Sequence, residues 1–248
     1  MMKQSDIQPV LNEGALFIRH KKILVIADLH IGIENELREL GLQAPSQTPS
    51  MTKRLTKLFK KYKPDILILL GDIKHNIPSS TIQERTDVKH FISQIQHFGS
   101  IHVLPGNHDG NINRLLTSEI NLHSSDGFII EDIGFIHGHR WPNEKIMKSK
   151  YIIVGHTHPT IMLTDRLGYK TFEPCWVRGR CIKKTLIDRY PDSTDPFIII
   201  LPAFNPLCGG IAINKEPLIG PFNKIIDTKN AEVYLPDGSS LGKVRDIN

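Results

Sequence analysis

Six short apolar runs punctuate the chain, at residues 23–27, 66–70, 101–104, 133–136, 152–154 and 197–201. All fall far below the roughly 20 residues a membrane-spanning helix needs, and they read as buried strands. Between them the period changes. Leu55, Leu58, Phe59 and Tyr62 fall at i, i+3, i+4 and i+7, predicting a helix over 51–63. Val88, Phe91, Ile92 and Ile95 repeat the spacing and predict a helix over 81–98. Strands alternating with helices in the N-terminal part suggest an α/β unit. Beyond residue 126 the helical period fades. Residues 128–136 read as paired short strands about Glu131–Asp132, and 233–244 as a hairpin about Asp237–Gly238. Residues 41–50 and 185–196 read as loops. No linker or change of composition divides the chain, so a mixed α/β (α+β) fold in one domain over 1–248 is expected.

Composition narrows the class. Of 248 residues, 40% are hydrophobic and 23% charged, which excludes wholesale disorder and fibrous architectures. The first ten residues are polar and lack a signal-peptide stretch, so a cytoplasmic protein without a membrane partner is expected. Three cysteines, with no CxxC, read as reduced packing residues. Thirty-one Lys and Arg against 26 Asp and Glu leave a net charge of +5, which permits an anionic partner without demanding one.

The chemistry concentrates at strand ends. Asp28-Leu29-His30 follows the first run and Gly71-Asp72 the second. Gly106-Asn107-His108-Asp109, His137-Gly138-His139 and Gly155-His156-Thr157-His158 follow the next three. Loops at the ends of parallel strands converge, and ligand sites form there. If these segments are extended, Asp28 with His30, and His156 with His158, point the same way. Oxygen and imidazole donors without cysteine suit manganese, iron, zinc or nickel better than a structural zinc. A carboxylate shared by two cations is the usual bridge, and Asp72 is its natural candidate. Each motif alone is commonly a turn or a capped strand end. Five in order, each at a strand end, are not.

This ordered set resembles the calcineurin-like metallophosphoesterase superfamily. Asp28-Leu29-His30-Ile31-Gly32, Gly71-Asp72-Ile73-Lys74-His75 and Leu201-Pro202-Ala203-Phe204-Asn205-Pro206 look most like the archaeal phosphoesterases related to the SbcD repair nuclease. They are similar also to a bacterial group associated with DNA ligase. The resemblance implies a four-layer fold, two mixed sheets face to face with helices outside. It implies Asp28, His30 and His158 on one divalent metal, Asn107, His137 and His156 on another, and Asp72 between them. It implies His108 as the catalytic histidine and manganese as the expected metal. Hydrolysis would proceed by attack of a hydroxide bridging the two metals. His139, Asp109, Lys74 and His75 are candidates for supporting or substrate contacts.

Plainer readings stand beside these. Asp109 orients His108 or closes a turn. Arg178 and Arg180 bind phosphate or form the outer face of a strand. The basic helix 53–63, with six Lys or Arg in eleven residues, is chiefly a solvated face. The leading expectation is a phosphodiesterase, with DNA or RNA as candidate substrates. The alternatives are a phosphomonoesterase or cyclic or dinucleotide phosphodiesterase for small molecules, and a non-catalytic scaffold. The intact ligand set and His108 argue against the scaffold. The oligomeric state is not legible.

Overall fold

The computed structural model describes residues 6–78 and 80–247. Two mixed sheets lie face to face. The first is ordered β1 (Ile7–Pro9), β2 (Ala15–Ile18), β3 (Ile23–Ile26), β4 (Ile66–Leu70), β5 (Ser100–Leu104) and β6 (Asn121–Leu122). In it β3, β4, β5 and β6 run parallel, and β1 and β2 add on antiparallel. The second takes in β7 (Phe128–Ile130), β8 (Ile133–Ile136), β9 (Tyr151–Val154), β12 (Trp176–Gly179), β13 (Phe197–Ile200), β15 (Glu232–Tyr234) and β16 (Ser240–Lys243). Here β8, β9 and β13 are parallel neighbours. A third, smaller sheet joins β10 (Pro159–Thr164), β11 (Lys170–Pro174) and β14 (Ile211–Ala212).

The apolar runs are unbroken because their strands are buried on both faces. Ile23 and Val25 point inward with Ile68, Leu70, Phe135, Ile153 and Ile199, in the layer between the sheets. Leu24, Ile26, Leu67 and Leu69 point outward, beneath α2 (Thr48–Tyr62) and α3 (Ile82–Ile95). The predicted stripes are the buried ones: Leu55, Leu58 and Phe59 on α2, and Val88, Phe91, Ile92 and Ile95 on α3. Thr81 caps α3, accepting the Glu84 N–H at 3.1 Å.

The expected helices flank both sheets, and on the second flank the three-stranded sheet joins α4 (Glu144–Met147) and α5 (Lys183–Arg189). Several expectations are corrected. Residues 41–50 are not all loop, because α2 begins at Thr48, with Pro49 in its first turn where no N–H is needed. Residues 185–196 are not all loop either, since α5 runs to Arg189. Its short length hid its period. The sequence reading also passed over β1, β2, β10, β11, β14 and α1 (Ile33–Glu39). The two hairpins form where expected, β7–β8 about Glu131–Asp132 and β15–β16 about Asp237–Gly238.

Candidate metal centre

The carboxyl ends of the two sets of parallel strands meet at one place. Asp28 and Asp72 follow β3 and β4, and Asn107 lies in the loop after β5. From the opposite sheet His137 follows β8, and His156 and His158 follow β9. His30, Asp72, Asn107, His108, His156 and His158 line a cleft of about 470 Å³. Asp28 and His137, both fully buried, sit beneath it.

The donors come close. Those of Asp28, His30 and Asp72 lie within 4.8 Å of one another, as do those of Asp72, His137 and His156. Asp72 belongs to both groups. His137 Nε2 is 3.2 Å and His30 Nε2 3.5 Å from Asp72 Oδ2, while His158 Nε2 is 3.3 Å from Asp28 Oδ1. Asn107 faces the same cleft from its exposed rim.

The backbone route differs from the extended one expected. Asp28, His30, Asp72, His156 and His158 all have positive φ, between 40° and 69°. Residues i and i+2 therefore reach the site from successive tight bends. Left-handed backbone at side chains other than glycine is strained, and such strain collects at functional sites. Glycine lets the pieces approach. A Cβ on Gly106 would lie 2.1 Å from Asp72 Oδ1, and one on Gly71 2.2 Å from His137 Nδ1.

The imidazoles are oriented from behind. His137 Nδ1 donates to the Leu70 carbonyl at 2.9 Å, and His158 Nδ1 to that of Gly209 at 3.0 Å. His30 Nδ1 pairs with His75 Nδ1 at 3.1 Å, and His75 Nε2 contacts the Glu36 carboxylate. Each arrangement turns Nε2 toward the carboxylates. There the buried Nε2 atoms of His30, His137 and His158 face carboxylate oxygens at 3.2–3.5 Å without a well-aligned hydrogen bond. A ligating imidazole typically has its other nitrogen on a carbonyl or carboxylate, so this donor set fits divalent cations.

Charges follow the geometry. Burial alone would raise the Asp28 and Asp72 carboxyls, but the neighbouring histidines hold both below the usual carboxylate range. Burial opposes charge on His137, but Asp72 and Asp28 outweigh it and push this imidazole up to about 9. Burial keeps His30 neutral, down to about 3, and His156 and His139 down to about 4.

His108 lines the cleft, its ring 4.7 Å from that of His30 and its Nδ1 on the His75 carbonyl. Its N–H donates to Asp72 Oδ1 at 2.8 Å. Asp109 makes loop contacts: it accepts from the Ile73, Lys74 and Gly106 N–H groups, and burial and then Asp72 push its carboxyl up to about 6. Lys74 is buried, its ammonium donating to the Asn76 carbonyl at 2.6 Å. His139 stands 5.3 Å, ring to ring, from His137.

Sequence reasoning missed the parts played by Glu84, Glu36 and Cys208, and named Asn205 without fixing its role. Glu84 accepts the His75 and Asn76 N–H groups at 2.7 Å and holds their loop. Glu36 backs His75. Asn205 donates to the Leu29 carbonyl at 2.8 Å and steadies the Asp28–His30 bend. Cys208 lies beside His30 and His158, whereas Cys175 and Cys181 are packing residues as expected. Only the Asn205 segment carried a signal, its Pro-Ala-Phe-Asn run after a strand.

Other charged features lie elsewhere. Arg178 is in mid-strand, within 5.4 Å of the Phe197 and Tyr234 ring centres, and Arg180 stacks on Phe197 at the far end of β13. Neither reaches the cleft. Arg54 is not a solvated residue: it pairs with Glu13 and donates to the Phe204 carbonyl at 2.9 Å. Helix α2 leads back to the start of β4, so Lys60, Lys61 and Lys63 sit at the end away from Asp72. His102 and His123 bond to each other at 2.8 Å and stack near Phe128.

Among the described residues no helix is long and apolar enough to cross a membrane. The structure resembles that of nuclease MPE from Pseudomonas putida, with a TM-score of 0.62 and 21% identity over 95% of this chain and 100% of that one. YfcE, a phosphoesterase from E. coli, matches over 91% of this chain and 99% of its own at 16% identity and a TM-score of 0.39. Residues 21–177, more than half of the sequence and spanning all five motifs, match the family model for the calcineurin-like phosphoesterase. The chain belongs to that family of metal-dependent phosphoester hydrolases.

Proposed function

We propose that this protein hydrolyses phosphodiester bonds with two divalent cations, and that its substrate is a nucleic-acid strand. Asp28, His30 and His158 hold one cation, Asn107, His137 and His156 the other, and Asp72 joins them. The observation that carries this reading is the set of three buried Nε2 atoms converging, at 3.2–3.5 Å, on two carboxylates that their neighbours keep ionised. Manganese suits the oxygen and imidazole donors.

Bound cations supply positive charge for the phosphate oxygens and acidify a water. The chain's own residues do the rest. His75 holds the His108 ring through its carbonyl, leaving His108 Nε2 to give a proton to the departing oxygen as the P–O bond breaks. Gly209 and Gly210 leave the cleft wall bare. The rim is open at Asn107, Gly209 and Gly210, all exposed, so a diester with chain on both sides can lie across it. No Lys or Arg lines the cleft among the described residues, so the pull on phosphate comes from the cations themselves.

A chromogenic phosphodiester and its monoester, assayed with manganese, test the proposal. Metal-dependent turnover of the diester, abolished by chelation, is expected. Preference for the monoester would assign a phosphomonoesterase. No turnover by protein carrying two metal ions would assign a scaffold. Cleavage of single-stranded DNA or RNA tests the substrate class.

A further inference from the structure

Cys208 sits outside the matched residues 21–177, on the loop that follows β13. Its Sγ and one donor nitrogen each of His30 and His158 all lie within 4.8 Å of one another. His30 is only 4% exposed, and its Nε2, like that of His158, faces a carboxylate oxygen without a well-aligned hydrogen bond. The thiol makes one weak contact, donating to the Asp28 carbonyl at 3.7 Å. The loop is built around this position. The Cys208 N–H donates to the Asn205 carbonyl at 3.2 Å, and the next residue, Gly209, accepts from His158 Nδ1. A Cβ on Gly210 would lie 2.3 Å from the His158 carbonyl oxygen.

We propose that Cys208 is a sulfur ligand, used only by soft cations, for the metal position formed by Asp28, His30 and His158. This rests on the metal centre proposed above. A hard cation such as Mn²⁺ leaves the thiol protonated, because thiolate is a poor ligand for it. Zn²⁺ or Cd²⁺ binds the sulfur, a metal–sulfur bond forms and the thiol proton passes to solvent. Two imidazoles, the Asp28 and Asp72 carboxylates and the thiolate then fill the places around that cation and leave none open for a water. Catalysis needs an open position there, so Zn²⁺ and Cd²⁺ bound through Cys208 inhibit the enzyme.

Wild type and Cys208→Ser, each stripped of metal, are titrated with CdCl₂ and with MnCl₂. Ultraviolet absorbance and calorimetry are read together. The expected result is a thiolate-to-cadmium charge-transfer band in wild type that Cys208→Ser lacks. The variant also binds Cd²⁺ roughly 10–100-fold more weakly while its Mn²⁺ affinity is unchanged. Zn²⁺ inhibition of the Mn²⁺-loaded enzyme is relieved in the variant. Cd²⁺ uptake by wild type without the band overturns the sulfur ligand and leaves the metal centre standing. A band that persists in Cys208→Ser, arising from Cys175 or Cys181, does the same. Failure of wild type to take up either metal overturns the metal centre and this proposal together.

Discussion

His137 reaches across from the second sheet to place Nε2 3.2 Å from Oδ2 of Asp72, which belongs to the first. Neither atom is exposed, and Asp72 is also 3.5 Å from His30 on the other side. The pair ties the two halves of the centre together. Asp72→Asn keeps the side-chain size and removes the anionic charge. It is expected to weaken metal uptake by more than the roughly 10–100-fold typical of an outer partner, with the fold retained. Calorimetry with Mn²⁺ and circular dichroism check this, and unaltered uptake would mean that Asp72 holds no cation.

Metal uptake depends on pH through His137 and His158, whose imidazoles the neighbouring carboxylates raise above their ordinary value. The His137 imidazole is raised to about 9, so the metal-free protein holds a proton there at neutral pH. A cation must displace that proton. Apparent affinity therefore rises by at least about tenfold per pH unit between roughly pH 7 and 9, His158 adding to the slope while it still holds its proton. His30 and His156 are already neutral and add no slope. In the metal-free protein the stability that charged His137 contributes is full below its ordinary value of 6.5 and is lost as pH rises through about 9. Calorimetry in buffers of different ionisation enthalpy counts the released proton; none released at pH 7 would refute this.

His108→Ala separates chemistry from metal binding. Its backbone N–H on Asp72 survives the substitution, and its Nδ1 is held by the His75 carbonyl. Turnover should fall by about 10²–10⁴ with metal content unchanged. Loss of metal would make His108 a ligand.

Glu36, His75 and His30 form a chain ending at a metal-facing nitrogen. Glu36→Gln and His75→Ala should each weaken cation binding about 10–100-fold. The double variant should be no worse than His75→Ala, because both act through one path. The Glu36 side chain is 56% exposed, so stability should change by less than about 1 kcal/mol. Additive losses would break the chain into independent contacts.

Lys57, Lys60 and Lys61 lie on the exposed side of α2, and the helix carries them away from the strand ends. Changing all three to Glu should leave cleavage of a nucleic-acid strand, and its salt dependence, unaltered. A shallower salt slope in the variant would place phosphate contacts on this helix.

The apolar runs determined the central parallel strands of both sheets, β3, β4, β5, β8, β9 and β13, because a strand buried on both faces must be apolar throughout. The i, i+3, i+4 spacing determined α2 and α3 for the matching reason, one buried stripe. The five motifs named the family, since their order and their places at strand ends are local properties of the chain. The short, exposed and irregular pieces were not legible. Every residue of β11 is exposed, and α5 is only two turns long, so neither carries a burial period.

Tertiary structure decided how the candidate residues meet. The sequence brought Asp28 and His30 together by proximity, but only the packing of one sheet on the other sets His137 beside Asp72. It set Glu84 under the His75 loop, Glu36 behind His75, Asn205 against Leu29, and Cys208 beside His30 and His158, across separations of up to 178 residues. A hydrogen bond or a shared ligand acts over a few ångströms of space and leaves no period along the chain. The strand ends could be read from the sequence; which atoms face one another across them required the fold.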